Sequence, residues 1–373
     1  MRVIGHYDSL GNPPYFIPHP LPPVAPSFVL DDASLTLYGE AMLQIGELNG
    51  IVRNLVDRER FLRAYVIKEA LLSSSIEGIH TTLLDVFTQP LAGYKPDKET
   101  QLVLNYGTAL ATACHMITKE GLPIANRVLM AAHRALMQAG AGEQADPGQY
   151  RKQPVRVGTL IPAPPHKVPE LMTALEQYIN TDAALPPLVR AGLAHVQFEM
   201  IHPFLDGNGR IGRLLIVLML FQAGVLIEPV LYPSYYLKKH QFEYYQQLDR
   251  VRTHGDFEGW IKFYITAIRD SAMDAYRRAH DIKALHERLA HDIAMQTKSM
   301  PMRAMRLQTL QLLFQYPVVS VLEVRVRLKV SYNTADRIIK DLVNIGTLAE
   351  VTQQKRGKLF QFAPYIALLE QQY

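Results

Sequence analysis

The sequence has little cysteine, little net charge and no long hydrophobic run. Its 373 residues include one cysteine, Cys114, which cannot form an internal disulfide. A single thiol fits a reducing compartment and excludes a cysteine-rich metal site. No basic-then-apolar signal segment is present, and the longest apolar runs, such as residues 214–221, are far shorter than the roughly 20 residues of a membrane span. We therefore expect a soluble, cytoplasmic protein that does not bind a membrane.

The composition is that of a globular protein. Hydrophobic residues make up 48% of the chain and charged residues 20%, which is enough apolar material for a sizeable core. The length suggests two or three domains. Disordered, collagen-like and disulfide-scaffold proteins are therefore excluded.

The net charge of +4 is unevenly distributed along the chain. Residues 302–373 carry ten basic and five acidic side chains, a balance of +5, whereas residues 1–301 carry 29 basic and 30 acidic ones. A local positive excess is a weak indication that the tail binds a polyanion.

Apolar residues recur at helical spacing over most of the chain. Prolines dominate the first thirty residues, which predicts an extended arm over the body and neither a helix nor a central strand. Residues 155–161 lie between glycines and a proline cluster, and this pattern predicts a short hairpin. Helices are predicted over residues 33–49, 51–75, 99–119, 125–138, 168–181, 186–199, 209–223, 240–253 and 257–285.

The pattern changes after about Met302. Two short helices (307–314 and 318–328) are followed by a third, with Ser331 as the N-cap and Gly346 at the C-terminal end. Strands are then predicted over 347–352 and 359–362, with a basic turn over 353–358 between them. This pattern resembles the winged helix-turn-helix family. We expect a mainly α protein with four segments: an N-terminal arm and helix region (1–98), a helical core (99–285), a linker helix (286–301) and a winged helix-like domain (302–373).

One segment combines the groups that phosphate chemistry needs. It runs His202-Pro203-Phe204-Leu205-Asp206-Gly207-Asn208-Gly209-Arg210-Ile211-Gly212-Arg213. The turn at residues 207–209 can point successive N–H groups inward as an anion nest, and the N-terminus of the following helix favours a phosphate there. Arginines three positions apart share a helix face and can bind further phosphate oxygens.

The other two groups in this segment have complementary chemistry. Asp206 offers a hard oxygen ligand of the kind that Mg²⁺ prefers, and His202 can take a proton from a hydroxyl near neutral pH. Each residue alone also has a structural interpretation, as a helix-capping histidine, a common Asp-Gly-Asn-Gly turn or a solvated arginine pair. Their occurrence together in twelve positions favours a nucleotide site.

The segment is similar, at every specified position, to the signature of the Fic (filamentation induced by cAMP) family, His-x-Phe-x-Asp/Glu-Gly-Asn-Gly-Arg-x-x-Arg. The resemblance implies a Fic-type helical bundle that transfers AMP from ATP to a Ser, Thr or Tyr hydroxyl of a protein, or of the enzyme itself. By resemblance, His202 is the general base, Asp206 holds Mg²⁺ and Phe204 anchors the loop in the core. The nucleotide-binding residues it implies are Gly207, Asn208, Gly209, Arg210, Gly212 and Arg213.

Related branches of the family have other chemistry. The kinase-like Doc branch generally carries lysine where this chain has Gly209, so the glycine favours AMP transfer. A phosphocholine-transferring branch is compatible with the same core motif.

A second signature lies upstream, in residues 73–78. An isolated Glu-Gly at the end of a helix is more often a solvated charge followed by a glycine cap. The segment Ser73-Ser74-Ser75-Ile76-Glu77-Gly78 also resembles the inhibitory motif of the family, Ser/Thr-x-x-x-Glu-Gly/Asn. The resemblance implies that Glu77 pairs with Arg213 and blocks productive nucleotide binding while Ser73 helps to hold the helix. In some relatives the same glutamate helps to remove AMP from a target, so an enzyme that mainly de-AMPylates is an alternative.

Two further regions follow from the resemblance. The hairpin around residues 150–161 corresponds to the flap that aligns a target by strand addition, although its tip is short here. Tyr245, which follows Tyr244, resembles a tyrosine near the adenine pocket, and a core or surface role on a helix is equally compatible.

The basic residues of the tail are compatible with either DNA or protein as its partner. In a winged helix, the segment from Ser331 to Asn344 would enter a DNA major groove, with Lys355, Arg356 and Lys358 near phosphates. Its candidate contacts are Tyr332, Asn333, Asp336, Arg337 and Lys340. Winged helices also mediate protein contacts or dimers. The alternatives to an enzyme are therefore a DNA-binding regulator that senses nucleotide, or a scaffold with a decayed site, and a homodimer is compatible with each.

Overall fold

The computed structural model of the chain describes residues 2–9, 11, 13–24, 26–54, 58–88, 91, 95–138, 146–181, 185–352 and 357–371. Within them the protein is mainly helical with two small antiparallel sheets. The bounds of the helices in the first part of the chain are α1 Asp32–Arg53, α2 Arg58–Ile76, α3 Leu83–Thr88, α4 Lys98–Thr118, α5 Asn126–Leu136, α6 Val168–Asn180, α7 Pro187–Ile201 and α8 Asn208–Gln222. The remaining helices are α9 Ser234–Lys239, α10 Gln241–His254, α11 Phe257–Gln296, α12 Met300–Gln315, α13 Val321–Leu328, α14 Tyr332–Asn344 and α15 Ala363–Glu370.

Side-chain caps set several helix starts. The Asp31 side chain accepts the backbone N–H of Ser34 at 2.9 Å at the start of α1, and Asp97 accepts that of Thr100 at 2.7 Å at the start of α4. Each carboxylate pairs one of the N–H groups that a helix start leaves free.

The proline-rich arm forms a hairpin over the body. Strand β1 (Gly5–Asp8) pairs antiparallel with β2 (Tyr15–Pro18). The Phe16 N–H then donates to the Ile161 carbonyl at 2.8 Å. The arm is therefore extended and laid on the body, as the sequence predicts, and it touches the predicted flap.

The predicted flap hairpin is shorter than expected. Among the described residues of this segment, the pairing within the hairpin is a single bridge between Val157 and Leu160, with Gly158 at φ +57°. The side chain of Arg151 donates to carbonyl groups around this segment, including that of Gln153 at 3.3 Å. These carbonyls are thus paired with a side chain and not with a neighbouring strand.

Two differences from the predicted helices lie near the C-terminal region. Helix α11 continues without a break through the predicted boundary at Leu285 to Gln296, because its buried face continues through Leu289 and Ile293. The predicted helix 318–328 begins as strand β3 (Val318–Ser320), since two β-branched valines pair with strand β5 (Leu359–Gln361).

The C-terminal sheet has three short strands. Strand β5 (Leu359–Gln361) lies between β3 and β4 (Ala349–Glu350). Ser331 caps α14 as predicted, accepting the Thr334 N–H at 3.1 Å, and Gly346 has φ +75° just after that helix. The predicted basic turn falls largely on residues 353–356, which lie outside the described residues. The winged helix-turn-helix assignment stays a prediction.

The motif of residues 202–213 lies at the junction of two buried helices. Helices α7 and α8 are almost entirely buried and pack against each other. Helix α11 supports α7, where the Trp260 indole N–H donates to the Gly192 carbonyl at 2.8 Å. The ends of two buried helices therefore fix the loop that joins them.

Candidate active site

The loop between α7 and α8 is built from left-handed turns and one side-chain clamp. His202 ends α7 with φ +50°, and Gly207 precedes α8 with φ +77°. The Asn208 carboxamide donates to the Phe204 carbonyl and accepts the Phe204 N–H, both at 2.8 Å. Both polar atoms of the Asn208 side chain are hydrogen-bonded to the Phe204 backbone. Asn208 would therefore contact a phosphate through its backbone N–H.

Phe204 anchors the loop in the core, as the resemblance implies. Its ring is fully buried and stacks on the His133 imidazole at 3.8 Å. The His133 Nδ1 accepts the Gly148 N–H at 2.9 Å, so Nε2 carries the proton and donates to the Asp206 carbonyl at 2.9 Å. Burial lowers the pKa of His133 to about 4, which keeps it neutral in this role.

Arg151 holds the other side of the loop. Its Nε donates to the His202 carbonyl at 2.8 Å, its backbone N–H donates to the Pro203 carbonyl at 2.9 Å, and Nη2 donates to the Ala163 carbonyl at 2.5 Å. Burial lowers the pKa of Arg151 to about 10, so it remains charged at neutral pH. Arg151 and His133 are not predicted from the sequence, because both lie far from the motif along the chain.

Arg210 is a buried guanidinium with free donors. It is 1% exposed, and its Nε and Nη1 have no hydrogen-bond partner within the described part of the chain. Its Nη2 lies 3.7 Å from an Asp206 carboxylate oxygen. Buried donors without partners are costly unless a ligand completes them, so this group fits an anion site at the start of α8.

Arg213 is fully engaged with the upstream motif. Its Nη2 lies 2.7 Å from Glu77 Oε1 and donates to the Ser73 carbonyl at 2.8 Å, while its Nε donates to Ser73 Oγ at 2.9 Å. Burial would raise the pKa of the Glu77 carboxyl, but the Arg213 guanidinium outweighs burial and holds that pKa below its usual value. The two motifs, 136 positions apart, therefore meet as an ion pair.

Glu77 also occupies the space above the start of α8. A Cβ atom added to Gly209 would lie 2.2 Å from Glu77 Oε1. A side chain at position 209 would therefore displace the Glu77 carboxylate from its observed position.

His202 faces a second carboxyl group, that of Glu199. Its Nδ1 lies 3.8 Å from Glu199 Oε2, and the other carboxyl oxygen of Glu199 has no hydrogen-bond partner among the described residues. Burial lowers the pKa of His202 to about 4 and raises that of Glu199 to about 8. Both groups are therefore neutral at pH 7, and the imidazole can accept a proton.

Gly212 allows the close approach of α7 and α8. A Cβ atom there would lie 2.4 Å from Glu199 Oε1. Its carbonyl accepts Nδ1–H of the buried His195 at 2.9 Å, and His195 Nε2 accepts the Tyr244 hydroxyl at 2.9 Å. The structure gives Gly212 this packing role beside the nucleotide-binding role that the sequence predicts.

A cleft of about 580 Å³ brings five of the predicted residues together. Its lining includes Glu77, His202, Gly209, Arg213 and Tyr245. Tyr245 is 46% exposed and its hydroxyl donates to the Ile76 carbonyl at 3.4 Å, so a ring face is available to a ligand. Asp206 and Gly207 in the preceding turn, and Asn208 and Arg210 at the start of α8, do not line this cleft.

The flap tip is tethered at the rim of this cleft. Arg252 Nη2 donates to Thr159 Oγ1 at 3.2 Å and to Asp249 at 2.5 Å, and Nη1 donates to the Tyr7 hydroxyl at 2.9 Å. One guanidinium thus joins the flap, α10 and the N-terminal hairpin.

In the C-terminal region, acids neutralise many of the cations. Ion pairs join Lys340 to Asp336, Arg327 to Glu323, Arg306 to Asp341 and Lys358 to Glu350. Tyr332 is 54% exposed at the start of α14, and Lys355 and Arg356 lie outside the described residues. DNA binding by this region stays a prediction.

Two other kinds of feature are absent from the residues that the structure describes. No group of three or more His, Cys, Asp or Glu side chains is arranged to hold a metal ion. No described helix is long and apolar enough to cross a bilayer.

Two family models match the chain. The model of the Fic/DOC family matches residues 123–220, and that of the Fic/DOC family N-terminal region matches residues 35–115. The first contains the loop with His202 and Arg213, and the second contains Ser73 and Glu77.

The curated relatives described next are both named protein adenylyltransferase Fic. The protein adenylyltransferase Fic of Drosophila melanogaster is 28% identical over 249 residues, which cover 65% of this chain and 47% of the relative. That of Drosophila erecta is 31% identical over 159 residues, 42% of this chain and 30% of the relative. The chain thus spans about half the length, or less, of the curated relatives it matches.

Solved structures show the same fold. A Fic family protein from Desulfovibrio desulfuricans G20 superposes with a TM-score of 0.57 at 23% identity, covering 90% of this chain and 97% of the other. Residues 134–508 of Fic-1 from C. elegans give a TM-score of 0.52 at 22% identity, covering 68% and 73%. Residues 35–115 and 123–220 of this chain thus match the two regions of the Fic/DOC family, and the fold is the one that these solved structures share.

Proposed function

We propose that the chain transfers AMP from ATP to a hydroxyl side chain of a protein. The hydroxyl oxygen would attack the α-phosphorus, the bond to pyrophosphate would break, and His202 would take the hydroxyl proton. The observation that carries this proposal is the cleft in which neutral His202 lies together with Gly209 and Arg213 at the start of α8. The matched relatives named protein adenylyltransferase support the same reaction class.

Positive groups at the start of α8 would bind the nucleotide. Arg210 has free guanidinium donors, and the backbone N–H groups that follow Gly207 begin a buried helix. Such N–H groups and the helix dipole attract a phosphate, and the arginines neutralise charge that develops as pyrophosphate leaves.

Asp206 fits a magnesium site that forms with the nucleotide. Its carboxylate is 65% exposed and lies beside Arg210. Because Mg²⁺ is commonly bound through one or two carboxylates together with substrate phosphates and water, a single acid here suits it. When bound, the ion would neutralise phosphate charge, while Asp206 would fix its position relative to the turn.

Glu77 would make the resting enzyme self-inhibited. Its carboxylate pairs with the Arg213 guanidinium and fills the space above Gly209. A triphosphate that needs either position must displace it, so loss of this carboxylate should release activity. The experiment is incubation of the purified chain with labelled ATP and Mg²⁺, comparing wild type, Glu77→Gly and Glu77→Gly/His202→Ala.

We expect Glu77→Gly to raise label transfer to protein by about tenfold or more, since one displaced ion pair is worth about 1.4 kcal/mol or more here. The added His202→Ala change should remove that gain. Glu77→Gln, which keeps the size of the side chain and loses its charge, should lie between wild type and Glu77→Gly. Equal labelling in wild type, Glu77→Gly and the double variant would contradict both the inhibition and the role of His202.

A further inference from the structure

A second cavity lies behind the helix that carries the inhibitory motif. Its volume of about 580 Å³ equals that of the catalytic cleft. It lies among α2, α9, α15 and the segment that follows α2, with Leu71, Leu72 and Ser75 on the α2 side. A space of this size fits a small ligand.

The lining of this cavity is positive and partly apolar. Lys68, Lys238 and Lys239 contribute three lysine side chains, and Glu370 is the one carboxylate among its lining residues in the described chain. The leucines of α2 provide an apolar wall beside them. This combination suits an anionic group carried on an apolar body.

Lys68 has less counter-charge than a buried cation needs. It is 8% exposed, and its Nζ donates to the Leu369 carbonyl at 3.1 Å. Asp274 is 3.9 Å away and is itself paired with Arg278 at 3.1 Å. Burial and the nearby Arg278 lower the pKa of Lys68 to about 7. An anion in the cavity would supply the charge that is missing.

The same cavity wall holds the end of α2. Lys238 Nζ donates to the Ser75 carbonyl at 2.8 Å and to Gln241 Oε1 at 2.9 Å, and Gln241 Nε2 donates to the Ile76 carbonyl at 2.9 Å. These carbonyls immediately precede Glu77. An anion that binds Lys238 would compete with the Ser75 carbonyl for its ammonium group. The end of α2, which carries Glu77, would then be held less firmly.

We propose that this cavity binds a phosphomonoester on a small apolar group, and that binding loosens Glu77 from Arg213. The consequence for AMP transfer rests on the proposed function, whereas binding and its coupling to Glu77 do not. The site is distinct from the catalytic cleft, because the two linings share no residue.

The test is calorimetric titration of the full chain with phenyl phosphate, with phenol as the uncharged comparison. We expect saturable binding of phenyl phosphate and none of phenol. Lys68→Met and Lys239→Met should each weaken binding, the first by about tenfold. Lys239 is exposed, so its variant tests the site even if Lys68→Met does not fold. The exposed Lys119→Met and the catalytic-turn variant Arg210→Met should leave binding unchanged.

Coupling is tested by repeating the titration on Glu77→Gly. Because linkage is reciprocal, a chain already freed from the ion pair should bind phenyl phosphate about threefold more tightly. Unchanged affinity in Glu77→Gly would overturn the coupling. Absence of binding, binding that survives both lysine changes, or binding lost in Arg210→Met would overturn the site. None of these measurements needs AMP transfer, so a failure of the proposed function is separately visible.

Discussion

At the scale of single residues, Arg151 holds the loop between α7 and α8 through several backbone carbonyls. Its buried guanidinium serves the carbonyls of His202, Ala163 and Gln153. Arg151→Met would leave buried acceptors unpaired, at about 1–3 kcal/mol each. We expect the free energy of unfolding to fall by about 3 kcal/mol in urea titrations followed by the fluorescence of buried Trp260. The exposed Arg156→Met is the control, and an equal loss in both variants would contradict this role.

Glu199 predicts a pH dependence of stability. Burial raises its pKa from 4.5 to about 8, so the folded protein holds a proton that the unfolded chain loses above pH 4.5. The stability that the folded protein gains from keeping Glu199 protonated is fully present below about pH 4.5. It is lost as pH rises through about 8.

Glu199→Gln removes that titration. We expect its unfolding free energy, relative to wild type, to increase between pH 5 and pH 8 by about 3.5 kcal/mol. Urea midpoints measured at pH 5, 6, 7 and 8 give this difference directly. A difference that stays constant with pH would show that Glu199 is not the protonated group.

The sequence predicts the residues of the loop but not those that hold it. His202, Gly209 and Arg213 lie in one short segment, where spacing alone brings them together. His133 and Arg151 act through backbone carbonyls of that loop, and any buried donor could serve such a carbonyl. No pattern marks them, because their partners are main-chain atoms far along the sequence.

At the scale of elements, the packing of α7 on α8 depends on Gly212. A Cβ atom at position 212 would lie 2.4 Å from Glu199 Oε1 and 3.2 Å from the Phe198 ring, so the Glu199 side chain would have to move. We expect Gly212→Ala to lower the free energy of unfolding by about 1–3 kcal/mol, although alanine is the better helix former.

Gly39 provides the matched control, since it lies in helix α1 with nothing within 4 Å of an added Cβ. Gly39→Ala should raise the free energy of unfolding by up to about 1 kcal/mol through helix propensity. Thermal or urea unfolding of both variants measures the contrast. Stabilisation by both substitutions would refute the close approach at Gly212.

Element types are easier to predict here than their lengths. The helix around residues 332–344 follows from its cap and its apolar face. The sequence does not predict the three-residue strand β3, because Val318 and Val319 are compatible with helix periodicity and their pairing with β5 is a tertiary contact. The predicted end of α11 at Leu285 is too early, since nothing local to Leu285 ends the helix.

At the scale of the whole molecule, buried charges join the C-terminal region to the body. Arg278 on α11 is fully buried, donates to the carbonyls of Leu368 and Gln371 at the end of α15, and pairs with Asp274. Cations satisfy the free carbonyls at a helix C-terminus and favour its dipole.

Arg278→Met should therefore release α15. Hydrogen exchange measured by mass spectrometry should become faster over residues 363–371, whereas peptides from α7 and α8 should keep their protection. The neighbouring exposed Arg277→Met is the control and should match wild type. Unchanged exchange over α15 in Arg278→Met would contradict the anchoring.

The length of helix α11 determines how the protein rotates in solution. Its 40 residues span about 60 Å, from Trp260 under α7 to the turns that pack on α12 and α15. A continuous rod shared by both regions leaves no hinge at the predicted boundary of residue 285. The catalytic and C-terminal regions should therefore rotate in solution as one particle, with one correlation time for probes attached to either.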